Sequence, residues 1–194
     1  LMNMVYMGPY AFNGCNEITK IKIPVEGHEN DYSFSYSDKL EEVIFEEGIT
    51  EVPRRVFLGC SALKKVKLPS TATKIGYCAF RECSALESVT LPEKLETLEE
   101  QAFYDCDLIK EVKLPSNVTT IGEWCFANSG GIETVYMPIT VTSIAYNAFI
   151  GANAIKTVYY GGTQSDWERI EIADGNRPLT RAKIIFSDHV HTFS

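Results

Sequence analysis

Apolar residues recur along this chain at a fixed interval. From Leu91 the next equivalent leucine is Leu114, 23 residues on, and the one before is Leu68, 23 residues back. Pro92 keeps step with Pro69 and Pro115, Leu98 with Ile75 and Ile121, and Phe103 with Phe80 and Phe126. Between Ile49 and Tyr160 four apolar columns hold this register. One reads Ile49, Ala72, Leu95, Val118, Val141, and a second Val52, Ile75, Leu98, Ile121, Ile144. The third sets a mostly small residue before a phenylalanine, as in Ala79-Phe80, Ala102-Phe103 and Cys125-Phe126. The fourth has the form L-x-x-V-x-L, as in Leu63/Val66/Leu68 and Leu86/Val89/Leu91. Alternation within V-x-L places both apolar side chains on one face of a short strand. The proline that follows has no N–H for a ladder and ends the strand.

A repeat of this length marks a solenoid, in which each rung buries its apolar columns only against its neighbours. The expected fold class is α/β but strand-dominated: a right-handed solenoid of about seven rungs of 22–23 residues. It should carry a parallel β-sheet on its concave face and short helical or irregular convex segments. Phe12, Phe34, Phe57, Phe80, Phe103, Phe126 and Phe149 occupy one column and predict a stacked aromatic spine.

The ends are less regular. Met7-Gly8-Pro9-Tyr10-Ala11-Phe12 aligns with Ile75–Phe80, so the array begins mid-repeat, and further sequence or another surface is expected over that end. Gly27 to Ser33 replaces an apolar entry and reads as an exposed loop. After Tyr160 the pattern changes. Thr163 or Ser165 is a candidate N-cap, Asp166 follows early in the helix, and Trp167 and Ile170 share a helical face. Ala182–Phe186 reads as a last strand and 188–194 as a fraying tail. Residues 1–160 are thus the array, and 161–194 a C-terminal cap within the same structural domain.

The consensus L-x-x-V-x-L-P-x-x-[LVI]-x-x-I-G-x-x-A-F-x-x-C, from Met7 to Gly161, resembles the BspA-like subclass of leucine-rich repeats. The closing Tyr159-Tyr-Gly-Gly-Thr163…Trp167 resembles the terminal unit of that family. The family is met in bacterial cell-surface proteins and in surface proteins of some parasitic protists. The resemblance implies a secreted or surface-displayed, non-enzymatic protein with a role in adhesion and host-protein binding. Neither a signal peptide nor an anchor is part of the sequence read.

Composition narrows the partners. Net charge is −8 with acidic and basic residues interleaved, which speaks against nucleic acid or an anionic membrane surface. No apolar run approaches the ~20 residues of a membrane-spanning helix, so no direct membrane insertion is expected.

Candidate chemistry is sparse. Cys15, Cys60, Cys83 and Cys106 share one repeat position, where Ser37, Ser129 and Ala152 stand in other rungs. A slot that accepts Ser and Ala is tight, so Cys reads there as a small hydrophobe. Parallel neighbours hold their Cβ atoms ~4.8 Å apart, against the ~3.8 Å that a disulfide prefers. Free thiols are therefore favoured over a disulfide, and without C-x-x-C a metal site has no support. His28, His189 and His191 fall outside the repeat core, and no phosphate-loop, dinucleotide or nucleophile-elbow motif is present. No catalytic residue and no cofactor is expected. Asn117-Val-Thr119 is a formal glycosylation sequon.

The outward face of the strands remains. Its two columns include Lys65/Lys67, Ser88/Thr90, Glu111/Lys113, Thr134/Tyr136 and Thr157/Tyr159, the candidate ligand-binding residues. Tyr136 and Tyr159 fall on adjacent rungs, and tyrosine is enriched where proteins bind partners. One position earlier, Glu41, Lys64, Glu87, Lys110, Glu133 and Lys156 alternate in sign, a column suited to holding register. The function expected is a binding or adhesion module for a protein or glycan on the concave face. The alternative is a spacer or stalk with no ligand of its own.

Overall fold

The computed structural model describes residues 12–25 and 34–187. The expected mid-repeat start, the 27–33 loop and the tail lie outside these residues, and with them His28, His189 and His191. The described chain opens with β1 (Lys20–Ile23), β2 (Glu42–Phe45), β3 (Glu51–Val52), β4 (Lys65–Lys67), β5 (Lys74–Ile75), β6 (Ser88–Val89) and β7 (Thr97–Leu98). It continues with β8 (Glu111–Lys113), β9 (Thr120–Ile121), β10 (Thr134–Met137), β11 (Ser143–Ile144) and β12 (Thr157–Tyr160). The last segment holds α1 (Gln164–Trp167), β13 (Glu171–Ile172), α2 (Arg177–Thr180) and β14 (Lys183–Phe186).

Every strand pair is parallel and in register by one repeat: Val43 faces Val66, Val112 faces Val135, and Val135 faces Val158. The chain is therefore a β-solenoid of about seven turns. The segment expected to be helical or irregular carries a second parallel sheet, β3-β5-β7-β9-β11-β13. It is built on the column Val52, Ile75, Leu98, Ile121, Ile144, extended by Ile172. These strands have two residues each, so no alternation in the sequence could announce them. The turns that follow are irregular and adopt left-handed backbone at repeating places, as at Cys78, Gln101, Trp124 and Asn147.

The phenylalanines form the expected spine. Neighbouring rings from Phe12 to Phe149 lie 5.0–5.8 Å apart and within 21° of parallel. Their backbone is tied along the stack as well, Phe80 N–H donating to the Ala102 carbonyl and Phe103 N–H to that of Cys125, each at 2.9 Å.

At the shared position, where Ala152 stands in one rung, the Cys and Ser side chains are hydrogen-bonded as well as small. The thiols of Cys60, Cys83 and Cys106 donate to the carbonyls of Phe34, Phe57 and Phe80 at 3.0, 3.3 and 3.2 Å. The hydroxyls of Ser37 and Ser129 do the same to Phe12 and Phe103 at 3.1 and 2.9 Å. Cys and Ser interchange because both donate from a compact side chain. All six cysteines are free.

The long-strand ladder is not one sheet. It divides into β1-β2-β4-β6 and β8-β10-β12-β14, while the short-strand sheet runs unbroken behind it. Pairing narrows towards the break, from four residue pairs between β1 and β2, to three between β2 and β4, to two between β4 and β6. It resumes with three pairs from β8 to β10 and four beyond. One rung on from Asp107, a Cβ added at Gly131 would lie 1.9 Å from the Asp107 carbonyl oxygen, so the two backbones approach closely there.

Past Tyr160 both sheets gain one more strand, β13 on β11 and β14 on β12. Thr163 caps α1 through a reciprocal box with Asp166, and Trp167 meets Tyr160 edge-on at 5.3 Å between ring centres.

Candidate binding surface

The outward positions of the long strands follow from period-2 alternation. In β8 the valine is buried while Glu111 and Lys113 are exposed, and in β10 Val135 and Met137 are buried beneath a half-buried Thr134 and Tyr136. Parallel register then stacks like positions. Glu111, Thr134 and Thr157 form one column, and Lys113, Tyr136, Tyr159 and Ile185 the other.

The second column is a continuous contact. The Lys113 amine sits 5.2 Å from the centre of the Tyr136 ring, and Tyr136 and Tyr159 stack at 4.8 Å with planes 10° apart. Lys113 also bonds Glu111 at 2.6 Å, which holds its ammonium charged beyond the ordinary range for a lysine. Partial burial raises the Tyr136 hydroxyl above its ordinary value, and the negative charge of Glu111 adds to the effect. Both faces of the Tyr136 ring are thus occupied, one by a cation and one by a ring. The column presents edges and hydroxyls outward, so the flat stacking on a tyrosine face that a sugar would use is closed at Tyr136.

From the sheet break to the last rung, Ser88 on β6 to Ile185 on β14, the face is hollowed to about 800 Å³. Six of the candidate residues line the hollow: Ser88, Thr90, Glu111, Lys113, Tyr136 and Tyr159. Lys65, Lys67, Thr134 and Thr157 lie on the same face outside its walls. The sequence pattern had assigned Val89 to the core, but its side chain is half-buried and forms part of the hollow, unlike the fully buried Val43, Val135 and Val158. Leu91, Leu114 and Met137 complete an apolar floor, and Glu87 and Lys110 stand on the rim.

The alternating charge column is realised on either side of this place. Lys64 pairs with Glu41 at 3.3 Å, and Lys156 with Glu133 at 2.6 Å. Both pairs are solvent-exposed and contribute little stability. Between them, Glu87 and Lys110 flank the break.

The thiols do not join this surface. Burial pushes Cys60 up to about 12 and raises Cys83, Cys106 and Cys125 well beyond the ordinary thiol range. Among the described residues no cluster of His, Cys, Asp or Glu is arranged to hold a metal ion, and no helix is long and apolar enough to cross a membrane.

Comparison with known proteins places these features in a wider set. A profile of the BspA type leucine-rich repeat region matches residues 2–29 and 28–156, in six copies. No curated protein sequence matches the chain. Among solved structures, the leucine-rich repeat protein of T. pallidum superposes with a TM-score of 0.70 at 19% identity, covering 95% of this chain and 90% of that one. A leucine-rich repeat protein from Eubacterium ventriosum gives 0.59 at 27% identity over 66% of this chain, which spans 33% of that longer protein. One from Bacteroides ovatus gives 0.50 at 23% identity, covering 96% of this chain and 67% of that one.

Proposed function

The chain belongs to the BspA type leucine-rich repeat family, and from that premise we propose that it is a non-catalytic binding module of a secreted or surface-displayed protein. Its partner is a protein, engaged on the long-strand face. The observation that carries this reading is the hollow at the sheet break, walled by the Lys113–Tyr136–Tyr159 column. An apolar floor beneath a rim of mixed charge and tyrosine edges has the composition of a protein-binding patch. The stacked geometry that closes the Tyr136 ring faces favours protein over glycan. Surface display rests on the family resemblance alone.

The test is an extracellular-protein array and a glycan array, each probed with the wild type and with Tyr136→Ala/Tyr159→Ala. A protein ligand that loses about tenfold or more in affinity, roughly 1.4 kcal/mol, on the double substitution supports the reading. A ligand that binds both forms alike, or a glycan ligand only, overturns it. No ligand of either kind transfers the weight to a spacer.

A further inference from the structure

We propose that the hollow receives an extended peptide segment of the partner, held by its main chain at the break between β6 and β8. This deepens the protein-binding reading above and rests on it. The residues just before β2, β4, β10 and β12 donate their N–H one rung back: Glu41 to Thr19 at 2.8 Å, Lys64 to Glu41 at 3.0 Å, and Glu133 to Lys110 and Lys156 to Glu133 at 2.9 Å each. Around the break, the N–H groups of Glu87, before β6, and of Lys110, before β8, form no such bond among the described residues, and the Glu87 carbonyl receives none from Lys110. Likewise Leu114 N–H donates to the Tyr136 carbonyl at 3.0 Å, whereas Leu68 and Leu91, in the two preceding rungs, make no matching bond to Thr90 and Lys113.

Glu87, Leu91, Lys110 and Lys113 all line the hollow. The break therefore lines an apolar hollow with a main-chain donor from each edge, at Lys110 and Leu91, and an acceptor at Glu87. A polypeptide main chain supplies the complement of that set, because it carries donors and acceptors at each residue. Half-buried Val89 beside Leu91 and Leu114 offers an apolar contact for one side chain of the segment. The volume, about 800 Å³, is of the size that takes a small ligand or a few residues rather than a folded domain.

The experiment is a selection of linear peptides from a displayed random library on the whole chain. The selected peptide is then synthesised with its natural main chain and with alternate amides N-methylated, which removes donors while keeping side chains. Binding is measured to the wild type, to Thr90→Trp, which fills the hollow from an exposed position, and to Lys67→Trp, at the equivalent position outside its walls. The expected result is a loss of about tenfold or more on N-methylation and on Thr90→Trp, little change for Lys67→Trp, and slowed hydrogen exchange at the Lys110 and Leu91 amides when peptide is bound. Equal affinity of the methylated peptide, normal binding to Thr90→Trp, or failure to select any linear peptide overturns the proposal. A protein ligand that is lost on Tyr136→Ala/Tyr159→Ala yet binds Thr90→Trp normally would keep the face as a binding surface and sink only the peptide seat.

Discussion

The side-chain oxygen of Asn176 accepts the N–H of Phe149 at 3.0 Å, and by doing so stands in for a rung that is not there. From Phe34 to Phe126 that N–H goes to a backbone carbonyl one repeat on, as from Phe126 to Ala148 at 2.8 Å. The Asn176 amide nitrogen completes the graft by donating to the carbonyls of Ala145 and Ala173 at 2.9 and 2.8 Å. With only 2% of its surface exposed, it does the hydrogen bonding of a peptide group inside the closed end of the stack.

Replacing Asn176 with Ala should leave the Phe149 donor buried and unpaired and cost about 1–3 kcal/mol in urea unfolding. Asn176→Asp keeps the acceptor but turns an oxygen towards two carbonyls. A carboxylate buried there has its folded pKa raised, so its penalty should grow as pH rises above the ordinary carboxylate range and ease as pH falls. A variant equally stable at pH 4 and pH 8, relative to wild type, would contradict this assignment.

Phe103 is fully buried between Phe80 and Phe126, with ring centres 5.3 and 5.6 Å away. Phe103→Ala should cost about 3–5 kcal/mol by opening a cavity in the spine, read from the denaturation midpoint at unchanged slope.

At the thiol position, donor capacity should matter more than apolar character. Cys106→Ser keeps a donor to the Phe80 carbonyl, as Ser129 does to Phe103, and should stay within about 1 kcal/mol of wild type. Cys106→Val supplies no donor and adds volume to a packed slot, for a cost of about 1–3 kcal/mol. Thermal melts of the two variants decide the order.

Cys60 makes a pH prediction with a definite sign. Burial moves its thiol from 9.0 to about 12. Below pH 9 the thiol is protonated in both folded and unfolded chains and contributes no slope. Between 9 and 12 the unfolded chain holds fewer protons, so stability should fall as pH rises. Cys60→Ser should flatten that part of the stability curve, and an unchanged curve would refute the account.

Two adjacent glycines should respond oppositely. A Cβ at Gly131 would meet the Asp107 carbonyl at 1.9 Å, whereas at Gly130 the nearest atom, the Asp107 carboxylate, is 3.3 Å away. Gly131→Ala should cost about 1–3 kcal/mol through backbone displacement, while Gly130→Ala should lie within about 1 kcal/mol of wild type. Similar melting temperatures for both would remove the crowding argument.

Much of this architecture was legible in the chain. The phenylalanine column and the V-x-L strands announce themselves because period and side-chain size coincide at each rung. The short-strand sheet was legible only as an apolar column, since Thr97–Leu98 and its equivalents are too brief to alternate. The break between Val89 and Val112 leaves no trace in an unvaried 23-residue spacing. The role of Asn176 could not be read from the sequence because its partners lie 27 and 31 residues away as well as nearby. The candidate face could be named from alternation. Which of its residues share a hollow could not, because that depends on the spacing of rungs.

The unequal backing of the two sheets also gives the molecule a mechanical grain. Drawn apart along its stacking axis, a solenoid shares the load between its hydrogen-bonded walls. Here one wall is continuous from β3 to β13 and the other is already parted at a single seam. Tension should therefore not stretch the rod evenly. It should flex at the seam with the intact wall as the leaf of the hinge, making the junction between the rungs of β6 and β8 the compliant joint of an otherwise stiff spring.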